Sequence, residues 1–145
     1  MGRLKIHLPD NFIFSTNIPV RISDLNYGAH VGNDSILSII HEGRMQFLRQ
    51  FNFTEIDCGG VSLIMSDVCI EFKHELFYGD TVIISITSGY VSKVAFDLFY
   101  KLEKKLGGKI VVVALAKSGM VCYNYELKKV AVISDTLKEK LFSNL

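Results

Sequence analysis

Between Ser35 and Phe51 apolar residues recur at intervals of three, four and seven. Ile36, Leu37, Ile40, Phe47, Leu48 and Phe51 make the stripe, and Ile39 and Met45 widen it. That spacing predicts a helix, about 17 residues long and roughly 25 Å at about 1.5 Å per residue. Asn33 or Asp34 supplies its N-cap. A stripe this broad needs a sheet to cover it. Upstream, Thr16 to Ile22 suits a strand, which Pro19 places at an edge or gives an irregular start.

Downstream of Gly59-Gly60 the pattern changes to extended chain. Val61 to Phe72 is one run, and Tyr78-Gly79-Asp80 turns into a second, Thr81 to Val91. Lys93 to Lys104 alternates, setting Val94, Phe96, Leu98, Tyr100 and Leu102 on one face. Leu106-Gly107-Gly108-Lys109 is a hairpin signal and leads into Ile110 to Tyr125. There Ala114, Ala116 and Ser118 share a face small enough to let a helix lie close. Asp135 to Phe142 reads as a last helix capped by Ser134. One long helix followed by hairpin-linked strands defines an α+β class, an antiparallel sheet of about five strands wrapping a long central helix. With no repeat, linker or low-complexity segment, residues 1–145 read as a single domain.

Composition narrows the options. A chain of 145 residues with 49% apolar residues buries a core without disulfides or a structural metal. Sixteen Lys and Arg against fifteen Asp and Glu leave a formal charge of +1. No basic excess points to nucleic acid, and any anion would need a local cationic cluster. Cys58, Cys69 and Cys122 are odd in number and lack framework spacing, which fits a reduced, cytoplasmic chain. Met1 to His7 has no apolar signal region, and no run reaches membrane-spanning length. No Cys/His cluster has zinc spacing, and no phosphate loop or nucleophile elbow is present. No metal or cofactor is expected.

The chemistry concentrates in Val20-Arg21-Ile22-Ser23-Asp24-Leu25-Asn26-Tyr27-Gly28-Ala29-His30-Val31-Gly32-Asn33. This bend runs from a strand into the N-terminus of the long helix, where unpaired N–H groups favour developing negative charge. Asp24, Asn26 and His30 thereby meet a ready anion site, an arrangement that polarises a carbonyl and holds a water. Glu42, in the helix, is a second carboxylate within range of such a site. Each has a plainer reading: a turn former for Asp24 and Asn26, a cap for His30, a solvated helix carboxylate for Glu42.

In that bend, and in Glu42-Gly43-Arg44, Ile70-Glu71-Phe72-Lys73-His74 and Phe77-Tyr78-Gly79-Asp80, the chain resembles a known family. It is similar to the hot-dog-fold acyl-CoA thioesterases of the 4-hydroxybenzoyl-CoA thioesterase superfamily, over roughly Ile18 to Val132. Family members carry a pattern like D-x-D-x-x-G-H-V-N-N, then an E-A-R-like element in the helix. The resemblance implies thioester hydrolysis by activated water, with acyl-CoA or acyl-ACP as substrate. It implies a homodimer or homotetramer with active sites where subunits meet, no cofactor, and neither nucleic acid nor membrane as partner. Asp24, Asn26, His30 and Glu42 become the catalytic candidates. Tyr27, Val31, Gly32, Asn33, Lys73 and His74 become candidates for binding substrate.

Three positions depart from the pattern. The second carboxylate falls on Asn26, the catalytic Asn of the related plant acyl-ACP thioesterases on Gly28, and the first Asn of the H-V-N-N element on Gly32. An amide neither takes a proton nor forms an anhydride-like intermediate, so direct attack from position 26 is excluded. Two alternatives follow. Asp24-Leu25-Asn26 before a histidine is similar to the D-x-N-x-x-H element of hot-dog enoyl-CoA hydratases, although His30 comes one residue late. Loss of the carboxylate would also suit a non-catalytic acyl-CoA binding module.

Overall fold

The computed structural model describes residues 2–142. In chain order the elements are β1 (Phe14–Pro19), a single 3-10 turn (Ile22–Asp24), α1 (Asn33–Arg49), β2 (Ser62–Phe72), β3 (Thr81–Gly89), β4 (Ala95–Leu106), β5 (Lys109–Asn124), β6 (Lys129–Val130) and α2 (Asp135–Phe142). All the strands join one antiparallel sheet in the order β1-β3-β4-β5-β2, and the short β6 pairs with the end of β5. The α+β expectation and the wrapped central helix hold. The two-residue β6 brings the strand count to six.

Register follows from the turns. Gly107 and Gly108 have φ of 57° and 79°, the left-handed pair that a two-residue hairpin turn requires. They close β4 on β5 with Leu106 opposite Lys109. Phe96, Leu98, Tyr100 and Leu102 all point into the core, as their alternation predicts. In β2 a bulge between Met65 and Asp67 resets the alternation. Leu63 faces the helix before it, Val68 and Ile70 face the helix after it, and Asp67 and Glu71 turn outward. Unbroken pairing would have put those carboxylates on the core face.

The long helix starts and ends two residues earlier than its apolar stripe predicts. Gly32, in an extended conformation with no side-chain cap, takes the N-cap place expected of Asn33 or Asp34. At the other end Asn52 adopts a left-handed φ of 62° and its N–H returns to the Arg49 carbonyl, stopping the helix before Phe51. The Phe51 ring still packs edge-on against Phe47. Ile36, Ile39, Ile40, Phe47 and Leu48 are buried. The close approach to the sheet is made by Gly43, where a Cβ would sit 2.7 Å from Cδ1 of Ile84 on β3. The small face of β5 instead makes room for side chains: Ser118 receives the Tyr100 hydroxyl at 2.7 Å.

The expected strand Thr16 to Ile22 begins at Phe14 and stops at Pro19, at the sheet edge. The carboxylate of Asp24 accepts the Arg21 N–H at 2.8 Å and turns the following residues into the 3-10 segment. Ahead of β1, residues 2–13 cross the outer face of the sheet as a strap. The Ile6 N–H bonds Glu71 of β2 at 3.1 Å, and Lys101 of β4 lies 4.9 Å over the Phe12 ring. Phe99, which points outward from β4, is buried, with its ring 5.8 Å from that of Tyr90.

Candidate active site

The polar bend is built from its own backbone. The Asn26 N–H donates to the His30 carbonyl at 2.8 Å, and Ala29, at a left-handed φ of 66°, donates to the Asn26 carbonyl at 3.1 Å. The Asn26 side chain closes the turn by accepting the Gly28 N–H on Oδ1 at 2.8 Å. With Oδ1 engaged, the free side of that amide is its NH2 group, a donor. Asn26 therefore meets a ligand as a donor, its oxygen being spent on the Gly28 N–H.

His30 leaves this turn with a defined tautomer. Its Nδ1 lies 3.2 Å from the Val31 carbonyl, an acceptor, so Nδ1 carries the proton and Nε2 presents a lone pair. The next two amides are consumed in fixing the bend: Val31 N–H donates to Leu76 O at 2.8 Å and Gly32 N–H to Asp24 O at 3.2 Å. The Asp34 N–H meets Asn33 Oδ1 at 3.0 Å. Among the described residues the Asn33 and Ser35 amides keep no partner, and they form the open anion-favouring end of α1.

This end of the helix borders a cleft of about 440 Å³. Asn26, His30, Val31, Asn33 and Ile36 line it from the bend and helix, and Phe72, Lys73, His74, Glu75 and Leu76 from the end of β2 and the loop beyond. That loop is pinned at each residue. The Lys73 and His74 amides share the Val113 carbonyl at 2.8 and 3.1 Å, and the His74 Nδ1 donates to Val112 O at 2.9 Å. The buried Lys104 ammonium grips the Glu75 carbonyl at 2.7 Å and Asp80 Oδ2 at 3.0 Å. Val31, Ile36, Phe72 and Leu76 give the cleft an apolar side. Two imidazoles, an ammonium, a carboxylate and two amides give it a polar one.

Six of the residues singled out from sequence thus share one cleft: Asn26, His30, Val31, Asn33, Lys73 and His74. The other four lie elsewhere. Tyr27 projects fully into solvent, and Gly32 lies off the cleft with its N–H spent on Asp24. Asp24 is 3% exposed, and its two oxygens take the Arg21 backbone N–H and guanidinium, the latter at 3.0 Å. Glu42 accepts the Gln46 side-chain amide at 2.8 Å and borders a separate cleft of about 430 Å³ with Arg21 and His41. Neither acid expected to attend the imidazole lines its cleft. Glu75 does, and it went unnoticed in the sequence because 44 residues separate it from Val31. Only the β2 register and the Val31–Leu76 bond bring the two segments together.

Two of the three thiols are disarmed. Cys58 and Cys122 are fully buried, and burial pushes their thiols up to about 12 and about 11. No group of His, Cys, Asp and Glu among the described residues is disposed to hold a metal ion. No helix among them is long and apolar enough to cross a membrane.

Residues 20–141 match the model of the Thioesterase-like superfamily, and the chain belongs to that superfamily. Solved structures agree on the fold. A thioesterase-superfamily protein of Jannaschia sp. CCS1 superposes with a TM-score of 0.79 at 17% identity, covering 92% of this chain and 83% of the other. The 1,4-dihydroxy-2-naphthoyl-CoA thioesterase of Synechocystis gives 0.79 at 19% identity, covering 91% and 96%. The 4-hydroxybenzoyl-CoA thioesterase of Pseudomonas sp. strain CBS-3 gives 0.76 at 11%, covering 87% and 96%. No curated protein matches the chain. The fold is the hot-dog fold of the 4-hydroxybenzoyl-CoA thioesterases.

Proposed function

We propose that this protein is an acyl-CoA thioesterase, hydrolysing an acyl thioester to a free acid and a thiol with water as nucleophile. The observation that carries this reading is the His30 imidazole, locked with Nε2 free beside the unpaired first-turn amides of α1, in a cleft with one apolar side. Hydrolysis needs those features together. The apolar side shelters an acyl group, the Nε2 lone pair orients a water, and N–H donors meet the carbonyl oxygen as it becomes an oxyanion. One preorganised donor of that kind is worth about 3 kcal/mol of barrier. The Asn33 amide and the Asn26 NH2 group are the donors at residues lining the cleft, which gives Asn26 a use that does not require a carboxylate.

CoA is the carrier that the superfamily and its structural relatives favour, and an acyl carrier protein presents the same thioester on the same pantetheine arm. Lys73, at the rim, is the cation placed to meet a phosphate of that arm, although Glu71 already holds it at 2.8 Å. The working unit in this proposal is a homodimer. The 11-residue β2 is a sheet edge, a ready template for a second copy, and it ends at Phe72 in the cleft. The three free cysteines suit a cytoplasmic setting.

Thiol release from a panel of short, long and aromatic acyl-CoAs, followed with DTNB, tests the proposal. Turnover of at least one class, lost on heat denaturation, is the expected result. Tight acyl-CoA binding with no thiol released by any of them overturns it in favour of a binding module, and loss of enoyl absorbance without thiol release in favour of a hydratase.

A further inference from the structure

We propose that Glu75 is the base that takes the proton of the hydrolytic water, standing in from the β2–β3 loop for the carboxylate that position 26 lacks. This rests on the thioesterase reading above.

The reaction must pass a proton from water to some group in the cleft. Asn26 has no basicity, Asp24 is saturated by Arg21, and Glu42 opens onto another cleft. Of the residues lining the site, only His30, His74 and Glu75 have a lone pair free for a proton. Both imidazoles back their Nδ1–H onto neutral main-chain carbonyls. Neither has the carboxylate behind it that steadies an imidazolium, and each has Lys73 as a cationic neighbour in the same cleft. Protonating either builds a new cation in the cleft, where the Lys73 ammonium is already balanced by Glu71. Protonating Glu75 removes a negative charge and builds none.

The backbone of Glu75 is arranged for such a task. Its carbonyl is clamped by Lys104, the residue after it by Val31, and the residue before it by Val113. Its carboxylate has no hydrogen-bond partner among the described residues.

In the step this implies, a water lies between His30 Nε2 and the Glu75 carboxylate. Its oxygen bonds the acyl carbon, the C=O pair moves onto the carbonyl oxygen, and one water proton passes to Glu75. Collapse of the tetrahedral adduct breaks the C–S bond, sulfur leaves with the bonding pair, and Glu75 returns the proton to it. One thioester and one water become one acid and one thiol.

Glu75→Gln keeps the shape and removes the basicity. On an acyl-CoA that the wild type turns over, kcat is expected to fall at least ~100-fold, with KM and melting temperature close to wild type. Adding Asn26→Asp to that variant, which returns a carboxylate to the bend, is expected to restore at least ~10-fold of the loss. Glu75→Asp, charged and one methylene shorter, keeps part of the rate and separates basicity from folding should the Gln variant melt early. A Glu75→Gln enzyme within ~3-fold of an active wild type overturns the assignment and leaves the thioesterase reading standing. A double variant as slow as the single one overturns the replacement of position 26. A wild type that releases no thiol from any acyl-CoA removes the reading and the assignment together.

Discussion

The two halves of α1 carry polar groups in opposite states. In the second half Arg44 is 5% exposed and engaged through two of its nitrogens. Its Nε donates to Glu55 at 2.9 Å and a terminal nitrogen to the Tyr100 hydroxyl at 3.3 Å, and that hydroxyl meets Ser118 at 2.7 Å. His41 adds a second contact to Glu55 at 3.2 Å. Burial pushes the Tyr100 phenol up from its ordinary range, so it stays a neutral hydroxyl in this chain of bonds. At and before the first turn the Asn33 and Ser35 amides, the Asn26 NH2 group and His30 Nε2 have no partner among the described residues. Satisfied polar groups hold a structure in one arrangement; open ones in a cleft are available to a ligand. The Glu42-Gly43-Arg44 element belongs to the first kind, and its arginine ties the helix to the sheet.

The largest test of this contrast removes its closed half. Arg44→Leu removes the buried guanidinium's bonds to Glu55 and to the Tyr100 hydroxyl and is expected to cost about 3 kcal/mol of stability, read by urea denaturation. Next in size, His30→Ala acts on the open half. It is expected to cut thioester turnover about 100-fold, equivalent to roughly 2.7 kcal/mol of barrier, while the denaturation midpoint stays put. Gly43→Val then probes the spacer between the halves. The added branch meets Ile84 beneath the helix, and about 2 kcal/mol of overpacking should appear as a lowered midpoint. The smallest expected effect is Glu42→Gln, which keeps turnover within about twofold because its carboxylate serves the other cleft. A hundredfold loss there would bring the helix carboxylate back into the reaction.

Much of this was legible in the residues, for a physical reason. Periodicities of 3.6 and 2 are local, so α1, the long strands and the Gly107-Gly108 hairpin could be read without knowing what they touch. Side-chain competition for backbone was harder to read. Asp24 and Asn26 were visible as candidates, but which partner each oxygen takes depends on the Arg21 cap and the Gly28 amide. Pairing set the hardest part. Glu75 sits beside Lys73 and His74 in the sequence, yet nothing local says that its loop is sewn to the His30 bend. That information lies in the β2 register, its bulge, and a lysine 29 residues further on.

The carboxylate of Glu71 has two grips: one oxygen on the amide of Ile6 and the other on the ammonium of Lys73. The arm lying across the back of the sheet and the lip of the cleft in front are therefore tied to a single side chain. Trimming that arm leaves Glu71 free to follow Lys73 alone, so an alteration near Ile6 is felt at the lip of the cleft.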